Sequence, residues 1–269
     1  VTEEQSLTSA VDDTYDADDI IEKVTKEKLP VMEIFGPTMQ GEGWMAGRQS
    51  HFVRFGGCSY RCVWCDSLHA VDPQSVHANA RWMTTRTVVD TLTTKGGSRA
   101  CEWVTLSGGD PAVWDLRRLI RGLKKEGYKV AIETQGAYCR KWMSELDLIT
   151  LSPKPPSSGM AHMLDGGALN MIYALSPLVE VVTKIVIADY KDLSWASDYV
   201  KEYVPPARPL YLSALTPVPH PKESKNATRI RVCLSYTHLV KKVLESQDFK
   251  HAILLPQLHV LVWGHQLSV

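Results

Sequence analysis

Three cysteines, Cys58, Cys62 and Cys65, fall within eight residues in the run Gly56-Gly57-Cys58-Ser59-Tyr60-Arg61-Cys62-Val63-Trp64-Cys65-Asp66-Ser67. Thiolates at this spacing can surround one iron–sulfur cluster on a short loop, because soft sulfur ligands suit iron. Three ligands for a four-iron cluster leave one iron without a protein ligand, and that opening is where a cofactor or substrate binds. Two other readings compete. A structural zinc site closes with four ligands, and His51 or His69 could supply the fourth. Three unrelated buried thiols are the other alternative, given the preference of free cysteine for interiors. The paired glycines and the interleaved Arg61, Trp64 and Asp66, however, describe a loop rather than a core strand.

The elements that position this loop are legible in the hydrophobic pattern. Short β-rich runs begin with Val31–Phe35 and then His51–Phe55, just before the cysteines. Helical spacing over Thr84–Thr94 leads to a strand at Glu102–Leu106, which runs into Ser107-Gly108-Gly109-Asp110-Pro111. The next helix presents Val113, Leu116, Leu119, Ile120 and Leu123, with Gly127 as its stop before the strand Lys129–Glu133. Further strands are expected at Asp147–Leu151, Val181–Ile187, Pro209–Ser213 and Ala252–Leu255, and a long helix at Ile230–Leu244. This rhythm predicts an α/β fold with a mainly parallel sheet, either an open doubly wound sheet or a complete or partial barrel. In each, chemistry gathers beyond the carboxyl ends of the strands. The cysteine loop, Ser107–Pro111, Glu133-Thr134-Gln135-Gly136, Ser152-Pro153-Lys154 and Pro256-Gln257-Leu258-His259 all sit there.

Composition narrows the function classes. The 269 residues, 44% apolar and 22% charged, suit a globular chain. Lys plus Arg and Asp plus Glu balance at 30 each, so no overall basic field holds a nucleic acid, and a small-molecule substrate is expected. No run reaches the ~18 apolar residues of a membrane span, and the acidic start lacks a signal-peptide pattern, which predicts a cytoplasmic protein. Cys101, Cys139 and Cys233 are scattered, unlike a disulfide framework. Residues 1–28 are polar and acidic and are expected to form a partly disordered extension, with 29–269 as the catalytic domain.

The spacing Cys-x-x-x-Cys-x-aromatic-Cys resembles the radical S-adenosylmethionine superfamily, which implies a 4Fe–4S cluster held by Cys58, Cys62 and Cys65 and a partial (β/α) barrel. The resemblance implies that the open iron holds the methionine end of the cofactor and that a 5′-deoxyadenosyl radical removes a hydrogen atom from substrate. Within the superfamily the ordered set Gln40-Gly41-Glu42-Gly43, Phe52-Val53-Arg54-Phe55-Gly56-Gly57-Cys58, Trp64-Cys65-Asp66-Ser67, Ser107–Pro111, Glu133–Gly136, Ser152–Lys154, Lys184-Ile185-Val186 and Pro256–His259 is similar to the 7-carboxy-7-deazaguanine synthase family, from about Val31 to Trp263.

That resemblance implies a pterin substrate, 6-carboxy-5,6,7,8-tetrahydropterin, gripped by Gln40, Gly41, Glu42, Arg54, Ser107, Gln257 and His259. Glu42 would accept hydrogen bonds from a guanidine-like N–H edge, Gln40 would offer both a donor and an acceptor, and Arg54 would hold the carboxylate through a bidentate contact. Trp64, Cys65, Asp66, Gly108, Gly109, Glu133, Ser152, Pro153 and Lys154 would surround S-adenosylmethionine, with the glycines letting backbone approach the cofactor. Ser67 stands at the family's Mg²⁺-ligand position, usually Thr, and keeps the oxygen donor. Asp110 replaces the more usual Glu or Asn. Read without the resemblance, Gln40 and Glu42 form a solvated turn, Arg54 a surface ion pair, and the paired glycines a tight turn.

The implied reaction is radical ring contraction to 7-carboxy-7-deazaguanine with release of ammonia, a carbon–nitrogen lyase step of queuosine-type 7-deazapurine biosynthesis. A flavodoxin-like or other electron donor and a homodimer go with it. A glycyl-radical-activating enzyme and a noncatalytic iron–sulfur or zinc regulator are the rival readings.

Overall fold

A computed structural model describes residues 28–95, 101–216 and 223–266. The expected extension therefore lies outside the described residues, save Lys28, which opens the first strand. Nine strands form one sheet: β1 (Lys28–Met39), β2 (Gln49–Phe55), β3 (Arg81–Thr84), β4 (Trp103–Gly108), β5 (Lys129–Thr134), β6 (Leu148–Leu151), β7 (Glu180–Ile187), β8 (Leu210–Ala214) and β9 (Ile253–Leu255). The helices are α1 (Pro73–Asn79), α2 (Thr85–Lys95), α3 (Arg117–Lys125), α4 (Gly166–Tyr173), α5 (Tyr190–Tyr203), α6 (Lys225–Glu245) and α7 (Leu258–Trp263).

The lateral order is β3-β1-β2-β4-β5-β6-β7-β8-β9. β1 runs antiparallel to β2 and β3, whereas every pair from β2 to β9 is parallel. The parallel strands follow chain order without reversal, so right-handed crossovers carry their helices to the same face. A doubly wound sheet needs a reversal of strand order, and that reading fails. The sheet is a partial barrel, with β3 and β9 as its edges among the described residues.

Alternation along the strands assigns two faces. Val104, Leu106, Val130, Ile132, Ile149, Leu151, Val181, Ile185 and Leu212 point outward and are buried against Leu119, Ile120 and Leu123 of α3, Ile172 of α4, Leu193 of α5 and Leu239 of α6. Burying each such side chain contributes about 1.5–3 kcal/mol, which is what fixes the helices to the sheet. The inner face begins as a small apolar plug of Trp103, Ala131, Leu148, Val182 and Tyr211, closed from below by Met45. Two residues further along each strand the same face turns polar, with Thr105, Glu133, Thr150, Lys184 and Ser213. Apolar outside, plugged at the amino ends and polar at the carboxyl ends, the half-barrel leaves one place for polar chemistry.

Differences from the sequence expectation are local. Val113 belongs to a 3-10 turn (Pro111–Val113) ahead of α3 rather than to its buried face. Gly127, at φ +82°, does end that helix, and Tyr128 N–H closes it by donating to Leu123 O at 3.1 Å. β3 carries the exposed Arg81 and Trp82 and escaped notice because it is an edge strand of four residues.

Candidate active site

The loop leaving β2 carries all three clustered cysteines into a cleft at the carboxyl ends of the parallel strands, together with Tyr60, Trp64, Asp66 and Ser67. The thiols are free and half-buried. Burial pushes Cys58 up to about 11, against the hydrogen bond from Tyr60 N–H, and raises Cys62 and Cys65 as well. Metal must displace these protons, so ligation is coupled to their release.

The donor set distinguishes the metals. Among the described residues no three His, Cys, Asp or Glu side chains converge on a point that one ion could occupy. A four-iron cluster takes each thiolate on a different iron, and three separated thiols on one wall suit it. The zinc reading fails also for its fourth ligand. His51 is buried in β2 with its ring edge-on to Tyr128, and His69 lies beside Glu33 at 3.7 Å.

The segment after β6 holds the cysteine loop in place. Val63 N–H donates to Ser158 O at 3.0 Å, Tyr60 O–H to Met163 O at 2.7 Å, and Trp64 Nε1 to Ser157 Oγ at 3.0 Å. Ser157 is fixed in turn, because its hydroxyl and amide both donate to the buried Asp192 carboxylate, at 2.6 and 2.9 Å.

Gly108 and Gly109 line the cleft, but what requires them there is packing between strands. A Cβ on Gly108, which has φ +128°, would overlap the Phe55 carbonyl, and one on Gly109 would overlap that of Gly57. Close approach to these two carbonyls is what requires glycine at both positions. Asp110 turns away from the cleft. Its carboxylate accepts from Ala112 N–H and Thr134 Oγ1, each at 3.0 Å, and burial raises it to about 6.

Across the cleft Glu42 is the centre of a buried polar group. Its Oε2 accepts from Lys184 Nζ in a close ion pair, and its Oε1 accepts from Gln257 Nε2 at 2.6 Å. Burial alone would raise this carboxyl. The Lys184 charge, His259 and the two hydrogen bonds together outweigh it and hold Glu42 at about 2. The solvated-turn reading is therefore wrong for Glu42 and equally for Gln40. The Gln40 amide oxygen accepts from Gly41 N–H at 2.7 Å and its nitrogen donates to Glu133 Oε1 at 2.8 Å. These bonds fix the orientation of the Gln40 amide and leave one N–H and one lone pair for a ligand. Gly41 is needed for closeness, since a Cβ there would overlap the His259 ring.

Arg54 is not a surface ion pair either. It lines the cleft, with Nε donating to Glu33 Oε2 at 2.7 Å and Nη1 to Ser67 Oγ at 2.8 Å. Nε is thus engaged, and the expected bidentate contact would use the remaining N–H groups of Nη1 and Nη2. Ser67 Oγ also donates to Asp66 Oδ1 at 2.9 Å. Ser107, Ser152, Lys154, Glu133 and His259 line the same cleft, and Lys154 Nζ donates to Ser152 Oγ at 3.0 Å. Pro153 is buried behind the wall and does not belong to the cleft surface.

Sequence reasoning gave no role to Lys184, Gln135, Thr38 or His265, all of which line the cleft. Gln135 accepts from Cys58 Sγ at 3.9 Å. Thr38 Oγ1 and His265 Nε2 are buried without a hydrogen-bond partner among the described residues. The available signals for Lys184 were its place in the ordered motif set and a charge midway along the mainly apolar β7 run Glu180–Ile187. His265 had no signal, because it enters through the chain reversal at Gly264.

No family model matches the chain. It is 38% identical over 244 residues to the 7-carboxy-7-deazaguanine synthase of Bacillus cereus, covering 90% of this chain and 99% of that one. The enzyme of the same name from Bacillus subtilis is 37% identical over 248 residues, covering 90% and 98%. Among solved structures, QueE from Escherichia coli shares the fold at a TM-score of 0.58, with 20% identity over 85% of this chain and 94% of that one.

Proposed function

The chain belongs to the 7-carboxy-7-deazaguanine synthase family, and on that premise we propose that it converts 6-carboxy-5,6,7,8-tetrahydropterin to 7-carboxy-7-deazaguanine and ammonia. One observation carries the reading: a single cleft joins the three thiols on one wall to the ion-paired Glu42, Lys184, Gln257 and His259 on the other. Substrate and product differ by one ammonia, so the conversion is redox-neutral overall and is a carbon–nitrogen lyase reaction.

When bound, the reduced 4Fe–4S cluster and S-adenosylmethionine supply a 5′-deoxyadenosyl radical at the cluster end of the cleft. Cys58, Cys62 and Cys65 would hold the cluster, while Trp64, Glu133, Ser152 and Lys154 would surround the cofactor. Glu42 retains lone pairs beyond the two that Lys184 and Gln257 engage, and these can accept from the guanidine-like edge of a pterin. Nη2 of Arg54 and the imidazole of His259 lie where the ring and its carboxylate would be met. Ser67 would offer its oxygen to Mg²⁺ beside that carboxylate through the lone pair that Arg54 leaves unused. A flavodoxin-like electron donor, a homodimer and a place in queuosine-type biosynthesis complete the proposal.

Anaerobic reconstitution with iron and sulfide, followed by reductant, S-adenosylmethionine and the tetrahydropterin, tests it. The expected result is 7-carboxy-7-deazaguanine and ammonia in equal amounts, with turnover rising on addition of Mg²⁺. Formation of 5′-deoxyadenosine with no deazapurine product would overturn the substrate assignment, and absence of both would overturn the radical reading.

A further inference from the structure

The inner face of β7 places one lysine in the polar layer directly above the apolar plug. Lys184 is flanked along its strand by Val182 and Val186, its stem lies where a Cβ on Gly43 would meet it at van der Waals range, and its side chain is 7% exposed. Its partner Glu42 is 11% exposed, and the two are joined across 142 residues of sequence. Such a pair, removed from water, adds little stability over an apolar pair of the same volume, so its retention asks for another reason. The neighbours supply one. Glu42 is also held by Gln257, from the segment that carries His259, and Glu133, which shares the field of Lys184, is tied to Gln40. Lys184 thus stands between the two ends of the arm Gln40-Gly41-Glu42.

We propose that Lys184 is a positioning residue for substrate: its ammonium fixes the Glu42 carboxylate in one orientation and keeps it an acceptor, so that the cleft selects a ligand with a guanidine-like donor edge. The inference rests on the pterin reading. Without the ammonium, burial, the largest single influence on Glu42, is opposed only by His259 and the Gln257 bond, and the carboxyl moves up toward its protonated form. A protonated carboxyl presents a donor where the ligand presents donors. The sign of the pH effect follows. In the native protein the carboxylate is present far below neutrality, so Glu42 itself should add no pH dependence to ligand affinity from pH 5.5 to 8.5, and any change there belongs to the neighbouring His259. With Lys184 neutralised, affinity should be retained at high pH and fall as the pH falls through the raised Glu42 value.

The experiment measures binding of 7-carboxy-7-deazaguanine, which keeps the same edge, to the reconstituted full chain with S-adenosylmethionine, by calorimetry across that pH range. Lys184→Met should raise Kd by about 10- to 100-fold at pH 6, the loss of one hydrogen bond to a charged group. Its effect on Kd for S-adenosylmethionine should be smaller. Lys184→Arg should restore the native profile. Should Lys184→Met fail to fold, the pair Glu42→Gln and Glu42→Gln/Lys184→Met tests the same claim with no unpaired acid in the cleft. The lysine change should then add little to the glutamine change. A native Kd at pH 6 in Lys184→Met, or a further tenfold or greater rise in Kd when Lys184→Met is added to Glu42→Gln, would overturn the proposal. Failure of the native chain to bind the deazaguanine would instead overturn the pterin reading.

Discussion

Gly41→Ala probes the joint between the substrate arm and helix α7 by adding a single methyl group. Gly41 does not occupy the left-handed region, so alanine meets no backbone penalty there. The obstacle is His259. The new Cβ would overlap its ring and lie 2.6 Å from its backbone nitrogen. Opening that approach to an ordinary 3.4 Å contact moves the start of α7 by about 0.8 Å. The movement strains the bonds from Leu258 N–H to Gly41 O, now 3.1 Å, and from Gln257 to Glu42, now 2.6 Å. A misplacement near 1 Å in a substrate-positioning element can cost ~10²-fold in rate, and overpacking of this kind costs about 1–3 kcal/mol of stability. We therefore expect kcat/KM for the tetrahydropterin to fall about 10²-fold and Tm to fall by several degrees. Cluster absorbance should be kept, because the cysteine loop is held by the segment after β6. Steady-state kinetics under anaerobic conditions, with iron content and thermal melting on the same samples, would show this. Unchanged kcat/KM at native cluster loading would refute the claim that α7 and the arm act as one unit.

Three further variants test other parts of the site. Cys62→Ala should abolish the brown absorbance of the cluster and all turnover, and retained turnover would remove the three-cysteine reading. Arg54→Ala should weaken deazaguanine binding by about tenfold or more, as loss of a charge-assisted contact does, while leaving cluster assembly intact; calorimetry decides it. Ser157→Ala removes the acceptor of Trp64 and a donor to Asp192, a loss of about 1 kcal/mol per bond. Its cluster should lose iron to a chelator several-fold faster than the native protein, and an equal rate would mean that the loop does not depend on this bridge.

Much of the scaffold was legible because its signals are local. Each strand from β4 to β9 lies within about two residues of a β-rich run in the sequence, since a strand buried on one face by helices must be apolar at alternate positions. The choice between a doubly wound sheet and a partial barrel was not legible. It turns on lateral strand order, which the connecting segments do not encode. The order of the motifs was readable too, and each came to the carboxyl end of a strand, as expected for parallel β/α units.

The sequence by itself determined the clustered cysteine donors, the alternating scaffold and the chain order of the polar motifs, because spacing and periodicity act over a few residues. Only the tertiary structure decided how those polar groups are used. Gln257 reaches Glu42 across 215 residues and Gln40 reaches Glu133 across 93. Arg54 is shared between Glu33 and Ser67, and Gly108 and Gly109 answer to the carbonyls of Phe55 and Gly57. Lys184, a buried charge in a mainly apolar strand, acquires its meaning only when β7 sets it against the arm after β1. Pairing of this kind depends on strand stagger and on the sum of burial and charge at one point in space. No stretch of sequence contains that sum.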